Sequence, residues 1–150
     1  MALRALHLPH NIVSENTAFG AVFNRQVVEK DVLAKCNAAM QTVCEMGGAI
    51  VLARIAFTPN HSNLVPSLPL LLMVLQSGCL IDGDPGAALV PQIQVVPQDV
   101  VPAHQPPGPF TNTNLHEILQ GKGIENVLAC CVATNASVEG AARQASDLGC

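Results

Sequence analysis

The stretch NVLACCVATNASVEGAARQASDLG, Asn126 to Gly149, shows how this chain alternates its elements. Asn126 to Val132 is a short apolar run of the length expected for a buried strand. A tight turn follows, and from Asn135 onward Val138, Ala141, Ala142, Ala145 and Leu148 recur on one helical face that Gly149 ends. Asn135, Ala136 and Ser137 fall at the helix N-terminus, where unpaired backbone N–H groups and the positive end of the helix dipole face outward.

Working outward, the same alternation recurs. Asn114 precedes a predicted helix, with Glu117 three residues on as its capping partner, and Gly121 and Gly123 close it. At the N-terminus ALRALHL is a short apolar run that ends before Pro9 and predicts a strand. An irregular stretch is expected through Asn24. Val28, Val32, Leu33, Cys36, Ala39, Met40, Val43 and Cys44 then predict one long helix, stopped at Gly47-Gly48. Ala49 to Phe57, AIVLARIAF, is a strand apolar on both faces, as a sheet covered on both sides requires. Ten of the eleven prolines lie between Thr58 and Pro109, which predicts loops, with a short helix near Leu70–Gln76 and a short strand near Asp99–Ala103.

Strands alternating with helices require right-handed crossovers. The expected fold class is α/β, a doubly wound parallel sheet with helices on both faces. Ligands in such sheets bind beyond the carboxyl ends of the strands. Three segments should meet there: Leu6 to His10, Ala103 to Phe110 and Val132 to Ser137.

Composition narrows the function. The chain has 150 residues, 49% of them hydrophobic and 12% charged, against about 25% charged in an average domain. A chain this apolar buries enough surface to fold, which excludes a disordered polymer. Its net charge is −4 and its seven Lys and Arg are scattered. It has no Trp or Tyr, and its aromatics are four Phe. No nucleic-acid partner is expected, for want of a phosphate-binding footprint or a base-stacking platform. No membrane partner is expected either, because the longest apolar run, Leu68 to Leu75, falls well short of the roughly 20 residues of a spanning helix. The N-terminus lacks a signal-peptide pattern, so a cytoplasmic protein is expected. Cys36, Cys44, Cys79, Cys130, Cys131 and Cys150 form no C-x-x-C pair and are expected as buried free thiols.

Three polar side chains stand at the predicted strand ends. Ser137 can cap the first turn of the last helix, or act as a nucleophile whose oxyanion the local N–H groups would hold. His7 and His104 can be hydrogen-bonded structural residues, or groups that take the serine proton near neutral pH. Spacing alone leaves both pairs of alternatives open. A metal site built from His7, His10 and His61 would lack a carboxylate, and no G-x-G-x-x-G or Walker loop is present. No metal and no cofactor is therefore expected.

The segment VATNASVEGAARQASDLG resembles the signature of the isochorismatase-like superfamily, also called the cysteine hydrolases. PGPFTNTNLHEIL and GIENVLACCVATN precede it in the family's order. The resemblance covers the whole chain and is strongest over the last 45 residues or so. It implies an α/β hydrolase that opens an amide, imide or related C–N bond, or in one branch a vinyl ether, of a small-molecule substrate. It also implies a homo-oligomer.

The family's triad is an Asp on the first strand, a Lys six residues before a Phe, and a Cys nucleophile in the last motif. His7, His104 (counting back from Phe110) and Ser137 hold those positions here, so all three differ. The resemblance further implies a cis peptide at Val132–Ala133, an oxyanion hole made by the Ala133 and Ser137 N–H groups, and substrate contacts at Asn135 and Phe110. Two expectations follow. In one, His7, His104 and Ser137 form a rewired hydrolase, with one imidazole as base and the other as electrostatic group. In the other, the fold is catalytically inactive and binds a ligand or builds an oligomer. Family domains run on for a further strand, helix and strand, so residues 1–150 are expected as one domain that is a fragment, a shortened form or a protomer completed by a partner.

Overall fold

The computed structural model describes residues 1–106 and 108–150. Four strands form one parallel sheet in the order β3-β2-β1-β4, with β1 Ala2–Leu6, β2 Ala49–Ile55, β3 Ala103–His104 and β4 Val127–Cys131. Ala2 lies opposite both Ala49 and Val127, so β1 sits in the middle and is buried along its whole length.

Among the described residues six α-helices cover the two faces: α1 His10–Val13, α2 Gly20–Glu29, α3 Val32–Glu45, α4 Pro69–Ser77, α5 Leu115–Gly121 and α6 Glu139–Asp147. The alternation of β side chains divides the core between them. Leu3 and Ala5 of β1 and Ile50 and Leu52 of β2 pack with Cys36, Met40 and Val43 of α3 and Leu71 and Val74 of α4. Ala2, Leu6, Val51 and Ala53 face the other way, toward Leu115 and Leu119 of α5 and Ala141 and Ala145 of α6. The expected doubly wound α/β architecture is the one observed.

Several local expectations are corrected. The single helix expected from Val28 to Cys44 is two helices, because Asp31 adopts a left-handed backbone (φ 52°) between α2 and α3. That break changes the phase of the apolar stripe, so Val28 is 68% exposed. Cys44 is exposed too, while Cys36, Met40 and Val43 form the buried face of α3. The stretch expected to be irregular through Asn24 contains α1 and the start of α2.

Asn114 precedes α5, but its backbone (φ −88°, ψ 21°) is not extended, so its side chain makes no capping bond. The third strand begins later than expected, at Ala103, with Val100 making an isolated bridge to Val51. The Gly47 turn, α4 and β4 lie where the pattern placed them. No described helix is long and apolar enough to cross a membrane.

Candidate active site

The carboxyl ends of β1 and β4 open onto a cavity of about 560 Å³. One wall is the turn after β4: Val132, Ala133, Asn135, Ala136 and Ser137. The peptide Val132–Ala133 is cis. Residues Thr134–Val138 then form a wide turn in which the Ala133 carbonyl accepts the N–H groups of both Ala136 and Val138, and α6 continues from it. Ser137 is buried and lines the cavity, whereas Asn135 is exposed at it.

His7 enters from the end of β1. Its left-handed backbone (φ 56°) breaks the strand's alternation, and its Nδ1 lies 3.5 Å from Ser137 Oγ. A contact that long is at the limit of hydrogen bonding, as catalytic contacts often are before substrate arrives. His104, two strands away on β3, lies behind His7, with ring centroids 5.0 Å apart. Its Nδ1–H donates to the Pro106 carbonyl at 2.7 Å. Because a carbonyl only accepts, the proton is on Nδ1 and Nε2 carries a lone pair. The Nε2 atoms of both histidines are buried without a hydrogen-bond partner among the described residues.

Behind the histidines stands Arg4, which is 1% exposed, with all three guanidinium nitrogens unpartnered among the described residues. Its guanidinium carbon is 4.7 Å from the centre of the Phe110 ring, a cation–π contact. Burial pushes the guanidinium pKa down to about 9. Burial also holds His7 well below the ordinary histidine value, and the nearby His104 and Arg4 push it the same way. His104 is pushed down to about 4, again chiefly by burial, against the raising effect of its bond to the Pro106 carbonyl. Both imidazoles are therefore neutral at pH 7, and positive charge near the site resides on Arg4.

The structure brings His7 and Ser137 together, with Ala133 and Asn135 on the same wall. His104 lies one ring deeper, off the cavity surface. Phe110 faces α5 and α6 in the opposite layer, where its backbone N–H donates to the Gln144 side chain. Of the segment 103–110 expected at this crevice, Pro107 lies outside the described residues.

His10 and His61 do not join His7. His10 Nδ1 bonds Ser14 Oγ, and His61 Nε2 donates to the Cys79 carbonyl at 2.7 Å beneath the Phe57 ring. Sequence reasoning missed Arg4, although a lone cation inside the apolar run ALRALHL was a visible signal. It also missed the far wall, made by Ile12, Phe19, Phe23, Leu70, Leu71 and Val74. The lining includes no Asp or Glu. The wall is apolar almost throughout, so it fits a hydrophobic acyl or ring group presented to Ser137.

Comparison with known proteins agrees with this fold. The family model for the isochorismatase domain matches residues 15–150. The fold is similar to that of a cysteine hydrolase from Pseudomonas syringae pv. phaseolicola 1448A, with a TM-score of 0.84 and 17% identity over 97% of this chain. It is also similar to N-carbamoylsarcosine amidase from Thermoplasma acidophilum (TM-score 0.79, 17% identity, 99% of this chain and 76% of that one). A third similar structure is the pyrazinamidase of Pyrococcus horikoshii in complex with zinc (TM-score 0.78, 21% identity, 99% and 79%). The chain spans 65% of the length of the Pseudomonas protein. No curated protein sequence matches.

Proposed function

Because the chain belongs to the isochorismatase domain family, we propose that it hydrolyses the C–N bond of a small amide carrying an apolar acyl group, with Ser137 as nucleophile and His7 as its base. The observation that carries this reading is the buried Ser137 Oγ at 3.5 Å from His7 Nδ1, on the wall of an apolar cavity. Neutral His7 accepts the serine proton at Nδ1 as the oxygen attacks the carbonyl carbon. The Ala133 and Ser137 N–H groups hold the oxyanion. Collapse of that intermediate expels the amine, which leaves with the proton from His7, and an ester to Ser137 remains. Water, deprotonated by His7, then releases the acid and restores the hydroxyl.

His104 is a positioning residue in this scheme. Its ring, fixed by the Nδ1–H bond to the Pro106 carbonyl, packs 5.0 Å from that of His7 and backs the imidazole that faces Ser137. Arg4 supplies the positive charge that a lysine brings to the family's usual site. We further propose a homo-oligomer, supported by Leu68, Leu72, Met73 and Leu75, which are exposed on and beside α4. The named activities of the amidase and pyrazinamidase with the same fold support the amide class. A second reading, a ligand-binding protein without turnover, is favoured by the lack of any carboxylate in the lining to hold a histidine.

Intact mass after treatment with a fluorophosphonate separates the two. A single adduct on the folded wild type, lost in Ser137→Ala, is expected. Labelling that persists in the variant, or none on folded protein, would exclude the serine mechanism and leave the binding role.

The pH profile provides an independent check. A base held below the ordinary histidine value stays unprotonated further into acid, so the acid limb of kcat/KM should lie below pH 6.5. A limb at 6.5 or higher would assign the base elsewhere.

A further inference from the structure

At the β4 edge of the sheet, against α3, three cysteines meet. Adjacent residues on a regular strand point to opposite faces. Cys131 departs from this, with φ 91°, and its thiol lies beside that of Cys130 (Sγ to Sγ 3.3 Å) and 3.0 Å from that of Cys36 at the start of α3. All three sulfurs lie within 4.8 Å of one another. They line a cavity of about 320 Å³ together with Lys30 and Lys35. None of these residues belongs to the hydrolytic site.

We propose that Cys36, Cys130 and Cys131 bind one monovalent copper ion in three-coordinate, all-sulfur geometry. An ion at about 2.3 Å from each of three sulfurs holds them roughly 4 Å apart, so the two close pairs, at 3.3 and 3.0 Å, need to open by about 1 Å at most to accept it. Three thiolates and no nitrogen or oxygen ligand select a soft ion. A closed structural zinc site takes four protein ligands, and the cavity wall holds no His, Asp or Glu as a fourth.

Charge favours the same choice. Three thiolates around one monovalent cation leave −2, which Lys30 and Lys35 at the cavity balance; a divalent ion would leave the group overcompensated. Each cysteine binds as its thiolate, so every S–H proton it carries is released as its sulfur–metal bond forms, and copper keeps its oxidation state.

The test is an anaerobic titration of the reduced chain with cuprous ion against bicinchoninate, followed by the chelator's absorbance. One ion per chain is expected. Cys36→Ser and Cys131→Ser should each weaken binding beyond the roughly 10- to 100-fold that losing an outer-shell partner costs, while Cys44→Ser, at an exposed thiol on α3, should not. Unchanged affinity in both ligand variants would overturn the site. Should either variant misfold, iodoacetamide mapping of the wild type decides: copper should protect Cys36, Cys130 and Cys131 and leave Cys44 labelled, and uniform labelling with and without copper would overturn the proposal. Tighter binding of zinc than of copper in matched competition would overturn the choice of ion.

Discussion

Ser137→Ala is expected to lower kcat for amide hydrolysis by about three orders of magnitude or more, with folding intact. The variant removes one hydroxyl, which makes only a long contact with His7 in the resting protein. His7→Gln should cost about as much, because a serine hydroxyl without a base in reach is a poor nucleophile. The double variant should be no slower than the slower single one, since residues acting as a unit are not additive. Multiplying effects would mean that His7 and Ser137 act in separate steps. A Ser137→Ala protein with wild-type turnover would remove the serine from the chemistry. His104→Asn should be milder, loosening the packing behind the His7 ring while leaving Ser137 and His7 in place. Its signature is a lower kcat with little change in KM.

The second large effect concerns acid. His104 is pushed down to about 4 in the folded chain, from 6.5. Between those values the unfolded chain binds a proton that the folded chain refuses, so stability falls as pH falls through that window. At 1.36 kcal/mol per pKa unit, His104 alone removes about 3 kcal/mol between pH 7 and pH 4. His7 is lowered by the same cause and adds in the same direction. His104→Asn keeps a donor for the Pro106 carbonyl and has nothing to titrate, so its stability should be flatter in acid by that amount. Urea unfolding of both proteins at pH 7 and pH 4 measures it. Equal acid loss in wild type and variant would show that His104 is not the buried neutral group its surroundings indicate.

Arg4 gives these effects a shared origin. An unpaired guanidinium in the layer between sheet and helices faces both imidazoles and disfavours a second charge there. Its cation–π contact with Phe110 is its one attractive partner among the described residues, in the layer where Phe110 packs with α5.

The amino-acid order by itself determined the parallel α/β architecture. Period and length distinguish Ala49–Ile55 from the helix before it, and a parallel sheet between helices admits few other arrangements. It also determined that the ends of β1 and β4 face one crevice, because parallel strands carry all their carboxyl ends to one edge. Tertiary structure decided which side chains touch. His7 and Ser137 are 130 positions apart, and a left-handed turn at His7, invisible to an alternation count, sets its ring beside the hydroxyl and leaves His104 behind it.

The break at Asp31 turned one expected stripe into two and exposed Val28 and Cys44. Cys131 likewise escaped the strand rule and joined Cys36 from α3. In each case one backbone angle, held by packing from elsewhere in the chain, overrode the local period. Period is the short-range information that a sequence carries in the open, whereas the packing that holds such an angle exists only after the chain has closed on itself.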